Sequence, residues 1–384
     1  MSFEFSTAER IIFGRGCAVQ IGREAAAFGR RALVLTGRRG DRWDFLWQDL
    51  ENRGLAWERL TVDREPTVEM IDGAVGAAGR RSVDVVIGIG GGSVIDAAKA
   101  VAAKMPNTGD LTAYLEVIGQ GRALTNPSLP CIAVPTTAGT GAEVTGNAVL
   151  RSEHHGVKVS LRSPSMLPVR AIVDPDLTRS VPPEVTAATG LDALTQLLEA
   201  FVSQRANPLT DGLCREGLRR AARSLERAFT HGDDGVARED MALASLLGGL
   251  ALANAGLGAV HGFAGPLGGM LPAAHGMICA ALLPEVMAAN IRALTERAPG
   301  HPCRGRFQET AALLTGLAGA KAEEGVSWVR QLGRRLGVPS LGRLGFEALQ
   351  ADEAVAKASR ASSMKGNPIS LTDEELDGIY RNSL

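Results

Sequence analysis

Over the first half of the chain, short runs that are apolar at nearly every position alternate with stretches whose apolar residues recur at helical spacing. Residues 31–36 (RALVLT) and 83–89 (VDVVIGI) read as strands buried on both faces. Residues 131–134 and 171–173 read as two more, closed by Pro135 and by Asp174-Pro175. Residues 68–79 and 94–103 carry helical periodicity. Such alternation predicts a Rossmann-like α/β domain, a parallel sheet wrapped by helices. After Pro182-Pro183 the pattern changes to long Ala- and Leu-rich helices with almost no β-branched clusters. The shift sets the expected boundary: an α/β dinucleotide-binding domain over 1–182, then an all-helical domain over 183–384. Asn207-Pro208 and the segments 297–304 and 338–340 punctuate the helices.

The 384 residues are 45% hydrophobic and 22% charged, which fits a folded globular chain and excludes disorder. Lys and Arg number 41 against 42 Asp and Glu, and aromatics are 4%, so neither charge nor stacking rings favour nucleic acid or an anionic membrane. Between Met241 and Ile291 the only charged residue is Glu285. This run is broken by Gly248, Gly256, Pro266 and Pro272 and contains His261 and His275, so it reads as a buried helical layer, not a membrane span. Five scattered cysteines without a Cys-x-x-Cys pair indicate reduced thiols, and no signal-peptide run opens the chain, so a cytoplasmic location is expected.

Two loops carry candidate chemistry. The strand at 83–89 runs into Gly90-Gly91-Gly92-Ser93 and then a helix. Glycines there allow close backbone approach, and a helix start offers N–H groups to an anion such as a pyrophosphate. The loop is neither a G-x-G-x-x-G fingerprint nor a P-loop, and a tight structural turn also accounts for it. A second loop, from Pro135 to Gly141, places Thr136, Thr137 and Thr140 after another strand, where open α/β sheets bind ligands. In the helical half, Asp192 and Gln196 stand four apart on one helix face, and His261 and His275 bracket a turn expected at Gly265–Gly269. One carboxylate with two imidazoles is a donor set for zinc or ferrous iron, although a lone histidine on an apolar helix is usually a core residue.

The order of motifs decides between these readings. IIFGRG at 11–16, GGGSVID at 90–96, PTTAGTGAEVT at 135–145, Asp174-Pro175, GLDALTQLLEAFVS at 190–203, HGFAGPLGGMLPAAHG at 261–276 and SSMKGNPISLTDEEL at 362–376 resemble the iron-containing (group III) alcohol dehydrogenase family. The family shares its fold with dehydroquinate synthase. The resemblance implies reversible hydride transfer between NAD(P)H and a small aldehyde or ketone, assisted by one divalent metal, zinc or iron. It implies a cofactor site at Gly91, Gly92, Ser93, Asp96, Thr136, Thr137, Thr140 and Lys158, and a metal site at Asp192, His261 and His275, which are then also the catalytic residues. It also implies a homodimer.

Two departures from the family stand out. Gln196 occupies a position where most members have a metal-binding histidine, and Gly265 one where many have a further histidine. Gln196 is thus a weak fourth metal ligand, and zinc is expected over tightly held iron. Gly37 stands where NAD-preferring relatives commonly have an aspartate, and Arg38 and Arg39 follow it, which favours NADP(H) over NAD(H) by removing repulsion of a 2′-phosphate. A metal-independent reductase of the maleylacetate reductase type remains an alternative raised by Gln196, with Asp192 arguing against it. A dehydroquinate synthase-like lyase would need a basic pocket that the segments around the proposed metal lack. Arg215, Arg219, Arg220 and Arg223 recur at helical spacing as a solvated face, and His154-His155 reads as a surface turn.

Overall fold

A computed structural model describes residues 2–78, 82–271 and 273–384. The chain divides into two compact units. One comprises Ser6–Thr137 with Gly141–Arg179; the other comprises Met1–Phe5, Ala138–Thr140 and Ser180–Leu384.

The first unit contains β1 (Arg10–Phe13), α1 (Ile21–Ala26), β2 (Arg31–Thr36), α2 (Asp44–Asn52), β3 (Ala56–Thr61), α3 (Val68–Ala78), β4 (Val85–Gly90) and α4 (Gly92–Lys104). β5 (Cys131–Pro135), β6 (Asn147–Ser152), β7 (Val157–Arg162) and β8 (Arg170–Val173) follow. Among the described residues, six strands form a parallel sheet in the order β1-β8-β5-β4-β2-β3, and β6 pairs antiparallel with β7. Alternation along β2 explains the layering. Leu33 and Leu35 enter a core with α3 and α4, whereas Ala32 and Val34 enter another with α1 and α2. Helices thus cover both faces, the arrangement a buried parallel strand requires. At Gly88 of β4 an added Cβ would come within 2.7 Å of the Ala98 methyl, so α4 packs directly on strand backbone there.

Several expectations change at this level. The strand expected at 83–89 is Val85–Gly90, and α4 starts at Gly92, two residues before its periodic apolar run. The helix expected to reach Gly79 is described to Ala78, and Gly79 lies outside the described residues. β1 is only 4 residues long, and β3 is largely exposed, so neither carries the apolar run that marks the central strands. His154 and His155 fall between β6 and β7, a turn as expected.

In the second unit the elements are α5 (Pro183–Val202), α6 (Pro208–Thr230), α7 (Gly235–Ala255), α8 (Ala259–Met270) and α9 (His275–Arg297). After them come α10 (Cys303–Thr315), α11 (Ala322–Arg335), α12 (Ala351–Arg360) and α13 (Asp373–Asn382). The turn expected at Gly265–Gly269 is instead part of α8, which continues through Pro266. Gly265 has nothing within 4 Å of an added Cβ, so its glycine is not demanded by crowding, and tertiary burial of Phe263, Ala264 and Leu267 overrides local turn propensity. Nor are the arginines of α6 simply a solvated face: Arg220 and Arg223 converge at 2.7 Å on Asp240, which is buried on α7. α9 is long and apolar enough to cross a membrane by composition, yet 72% of its apolar window is buried inside the protein.

Candidate metal centre and nucleotide cleft

Three helices of the second unit converge on the metal candidates. Asp192 lies mid-way along α5, His261 in the first turn of α8, and His275 at the first position of α9. Asp192 Oδ1 stands 3.4 Å from His261 Nε2 and 3.9 Å from His275 Nε2. Asp192 and His261 are buried, whereas the His275 side chain remains 36% exposed.

Cys279, one turn after His275 on α9, joins them. Its Sγ is 3.6 Å from His275 Nε2 and 3.9 Å from His261 Nε2, and the four donor atoms all lie within 4.8 Å of one another. The sequence reading treated this cysteine only as one of five reduced thiols; its spacing of four from His275 was the available signal.

The close approach depends on small residues. A Cβ on Gly276 would lie 2.0 Å from the carbonyl oxygen of Ala188, so only glycine lets the start of α9 rest on α5 beside Asp192. The orientation of His261 is set by Glu199, two turns beyond Asp192 on α5. Its Oε2 is 2.7 Å from His261 Nδ1, which leaves Nε2 facing Asp192. Glu199 also accepts the backbone N–H groups of Val260 at 2.7 Å and His261 at 3.3 Å, while Asn367 Oδ1 accepts that of Ala259 at 3.1 Å. The first-turn donors of α8 are therefore satisfied by side chains, one of them an anion at a helix N-terminus. Asn367 comes from the SSMKGNPISLTDEEL segment, which ties that distant motif to the site.

Burial alone would discharge these groups, but the opposite charges within the cluster stabilise one another. Burial pushes the Asp192 carboxyl up, yet the nearby His261 and His275 imidazoles hold it below the usual range. Burial pushes His261 down and is outweighed by Cys279, Asp192 and Glu199, so the imidazole stands well above its ordinary value. His275 is raised chiefly by the charge of Cys279. The Cys279 thiol, pushed up by burial, is drawn below its ordinary value by the two imidazoles.

Asp192 Oδ1 and Gln196 Oε1 are buried without a hydrogen-bond partner. An orphaned carboxylate oxygen such as Asp192 Oδ1 is costly unless a cation satisfies it. The donor set of one carboxylate, two imidazoles and a thiol fits zinc or another divalent first-row ion. Gln196 Nε2 donates to Asp192 Oδ2 at 3.3 Å, so the amide nitrogen, not its oxygen, is turned to the carboxylate.

The first unit holds a cleft of 440 Å³ at the carboxyl ends of its strands, lined by Gly37, Arg38, Arg39, Arg42, Asp63, Gly91 and Thr136 among others. It opens where the sheet order turns, with β2 leading outward to β3 and β4 leading the other way to β5, the usual ligand position in open α/β sheets. Gly91 precedes α4 and offers no side-chain cap, so Gly92 and Ser93 begin the helix with uncapped backbone N–H groups. Thr136 N donates to Gly90 O at 2.9 Å, and a Cβ on Gly91 would stand 3.6 Å from Thr137, which brings the two loops together. Arg59 fixes the loop after β2 through Thr36 Oγ1 at 2.9 Å and the carbonyls of Gly37 and Arg38, each at 3.1 Å. Nothing lies within 4 Å of an added Cβ at Gly37.

Of the expected cofactor residues, Gly37, Arg38, Gly91 and Thr136 line that cleft, whereas Gly92, Ser93, Asp96, Thr137, Thr140 and Lys158 do not. Asp96 is engaged by Lys99 Nζ at 3.1 Å and by Val149 N at 3.1 Å. Lys158, on β7, pairs with Glu65 at 2.6 Å. Thr140 belongs to the other unit, as part of Ala138–Thr140.

A parallel α/β unit with a cleft lined by arginines and a helical unit with a buried carboxylate–imidazole cluster are the parts a metal-assisted dinucleotide oxidoreductase requires. Comparison with known proteins agrees. The chain matches the iron-containing alcohol dehydrogenase pattern over residues 8–175 and the C-terminal pattern of the Fe-containing alcohol dehydrogenase family over 186–384. Long-chain-alcohol dehydrogenase 1 of Geobacillus thermodenitrificans is 41% identical over 327 residues, 82% of this chain and 79% of that one. The crystal structure of a 1,3-propanediol oxidoreductase superposes with a TM-score of 0.91 at 32% identity, covering 100% of both chains. A sulfoacetaldehyde reductase from Bifidobacterium kashiwanohense, solved in complex with NAD+, superposes with a TM-score of 0.86 at 29% identity over 99% of this chain and 98% of its own. The chain belongs to the iron-containing alcohol dehydrogenase family and is an NAD(P)-dependent oxidoreductase acting on CH–OH groups.

Proposed function

We propose that this enzyme reduces small aldehydes or ketones, and oxidises the corresponding alcohols, with NADP(H) in preference to NAD(H) and one divalent ion, zinc before iron. Asp192, His261 and His275 hold the ion. The observation that carries this reading is the buried, unpartnered Oδ1 of Asp192 facing both imidazoles. When bound, the ion supplies Lewis acidity to the substrate oxygen and the nicotinamide supplies or accepts the hydride.

The protein's own contribution is positioning. Glu199 keeps His261 Nδ1 occupied, so Nε2 is the nitrogen presented to the ion. Gln196 occupies the second oxygen of Asp192, which leaves Oδ1 free for a ligand bond. The exposed side of His275 marks where substrate reaches the cluster. In the nucleotide cleft, Gly91, Gly92 and Ser93 offer backbone N–H groups to the pyrophosphate, with Thr136 and Thr137 alongside. Preference for the 2′-phosphate rests on Arg38, Arg39 and Arg42 beside the open space at Gly37. Asp63 partly offsets this field, since it stands 3.7 Å from Arg38.

A cytoplasmic setting accords with five cysteines that are free and buried. The homodimer is carried over from the family resemblance. Steady-state assays of a carbonyl panel with each nicotinamide, with and without zinc or ferrous iron, test the reading. We expect a higher kcat/KM with NADPH and loss of both metal and turnover in His261→Ala. A higher kcat/KM with NADH overturns the cofactor assignment, and full activity after exhaustive chelation overturns the metal assignment.

A further inference from the structure

We propose that the Sγ of Cys279 is a fourth protein ligand of the ion, making the centre an Asp-His-His-Cys thiolate site, with Gln196 acting on Asp192 instead of on the ion. The proposal rests on the metal reading above and adds to it a ligand that changes the chemistry of the site.

Geometry is the first support. Zinc bonds of about 2.0–2.1 Å to nitrogen and oxygen and about 2.3 Å to sulfur, arranged tetrahedrally, put N and O donors roughly 3.3 Å apart and N and S donors roughly 3.6 Å apart. The corresponding separations here are 3.4 and 3.9 Å for Asp192 Oδ1 to the two imidazoles, and 3.9 and 3.6 Å for Cys279 Sγ to the same nitrogens. Four of the six edges of the tetrahedron are therefore in place to within about 0.6 Å, and the other two are no longer than 4.8 Å. A cysteine serving only as a small apolar residue on the buried face of α9 would have no reason to approach both imidazole nitrogens at once.

The second support comes from the alternative donor. Gln196 turns its amide nitrogen to Asp192 Oδ2, and its oxygen lies 3.5 Å from where a Cβ on Gly248 of α7 would stand. The amide thus lies between Asp192 and α7, orienting the carboxylate.

Thiolate ligation favours zinc over ferrous iron, and it donates charge to the ion. A closed four-ligand set is the mark of structural zinc, so a substrate oxygen must enter as a fifth donor. His275, the one donor residue with an exposed side chain, leaves that side open.

Cobalt substitution of the full-length enzyme reads the bond directly. The chelated protein is reloaded with Co2+ or Zn2+, and metal per chain, near-ultraviolet absorption and zinc affinity are measured for the wild type, Cys279→Ser, Cys279→Ala and Gln196→Ala. We expect the cobalt form of the wild type to show a sulfur-to-cobalt charge-transfer band that both Cys279 variants lose. Zinc affinity should fall by roughly 100-fold or more in those variants, beyond the ~10-fold lower bound typical of losing an outer partner, and Gln196→Ala should keep the band. Thermal melts of the metal-free variants matching the metal-free wild type confirm that the loss is not misfolding. A cobalt form without the band, or zinc affinity unchanged in Cys279→Ala, overturns the proposal while leaving the Asp-His-His reading intact. A wild type that binds neither metal overturns that underlying reading instead.

Discussion

Glu199 shows how much of the centre is decided by one residue that bears no ligand. Its carboxylate accepts two backbone N–H groups at the start of α8 and holds the His261 ring at 2.7 Å, so helix termination and ligand orientation share one side chain. Glu199→Gln keeps the shape but replaces a charge-assisted partner with a neutral amide that has one acceptor. Zinc affinity should drop by about 10- to 100-fold with retention of the fold, as read by competition with a chelator; an unchanged affinity would show that His261 is held by packing alone. Nothing in the sequence singled Glu199 out, because an acid seven residues after Asp192 looks like any second polar position on a helix face. Asp192, His261 and His275 were legible through the ordered motifs. Cys279 offered only its spacing of four from His275 on α9, a signal that gains meaning once α5 and α8 are seen to converge there.

Legibility among the elements followed burial. β2, β4, β5 and β8 are apolar on both faces and stand out in sequence, whereas at the two edges of the sheet β1 is a four-residue strand with an exposed arginine and β3 is diluted by polar residues. α8 was misread in the opposite sense: glycine and proline signalled a turn, but the segment remains helical because its apolar face is enclosed. Helix packing also separates glycines that matter from those that do not. Gly276→Ala sets a methyl 2.0 Å from the Ala188 carbonyl oxygen, and backbone must move, so α9 is displaced from α5 at the turn that carries His275. We expect a destabilisation of ~1–3 kcal/mol together with weaker zinc retention, measured by chemical unfolding and metal analysis. Gly265→Ala, with open space at its Cβ and a helical backbone, should be neutral or stabilising by up to ~1 kcal/mol. Equal effects from the two substitutions would refute the role assigned to the α5–α9 approach.

At the scale of the molecule, each ligand is assigned to a different part of the chain. All four candidate metal donors belong to Ser180–Leu384, and the lining of the candidate nucleotide cleft comes from Ser6–Thr137. A ligand that binds only folded protein stabilises the state that presents its site, by ~2.7 kcal/mol when its concentration is 100-fold above Kd, equivalent to a ~100-fold slowing of exchange through any opening that destroys the site. Zinc should therefore slow amide exchange in α5, α8 and α9, where opening separates the donors. NADPH should slow it at the connections after β2 and β4, where the arginines and the glycine loop would lose their ligand. Chelation should reverse the first pattern without removing the second. The measurement is hydrogen exchange read by mass spectrometry on the full chain, with each ligand added alone. Zinc that left α5, α8 and α9 unprotected would place the ion elsewhere, and NADPH that protected neither connection would remove the cofactor from the arginine-lined cleft. The two outcomes are separable because no residue is asked to serve both ligands.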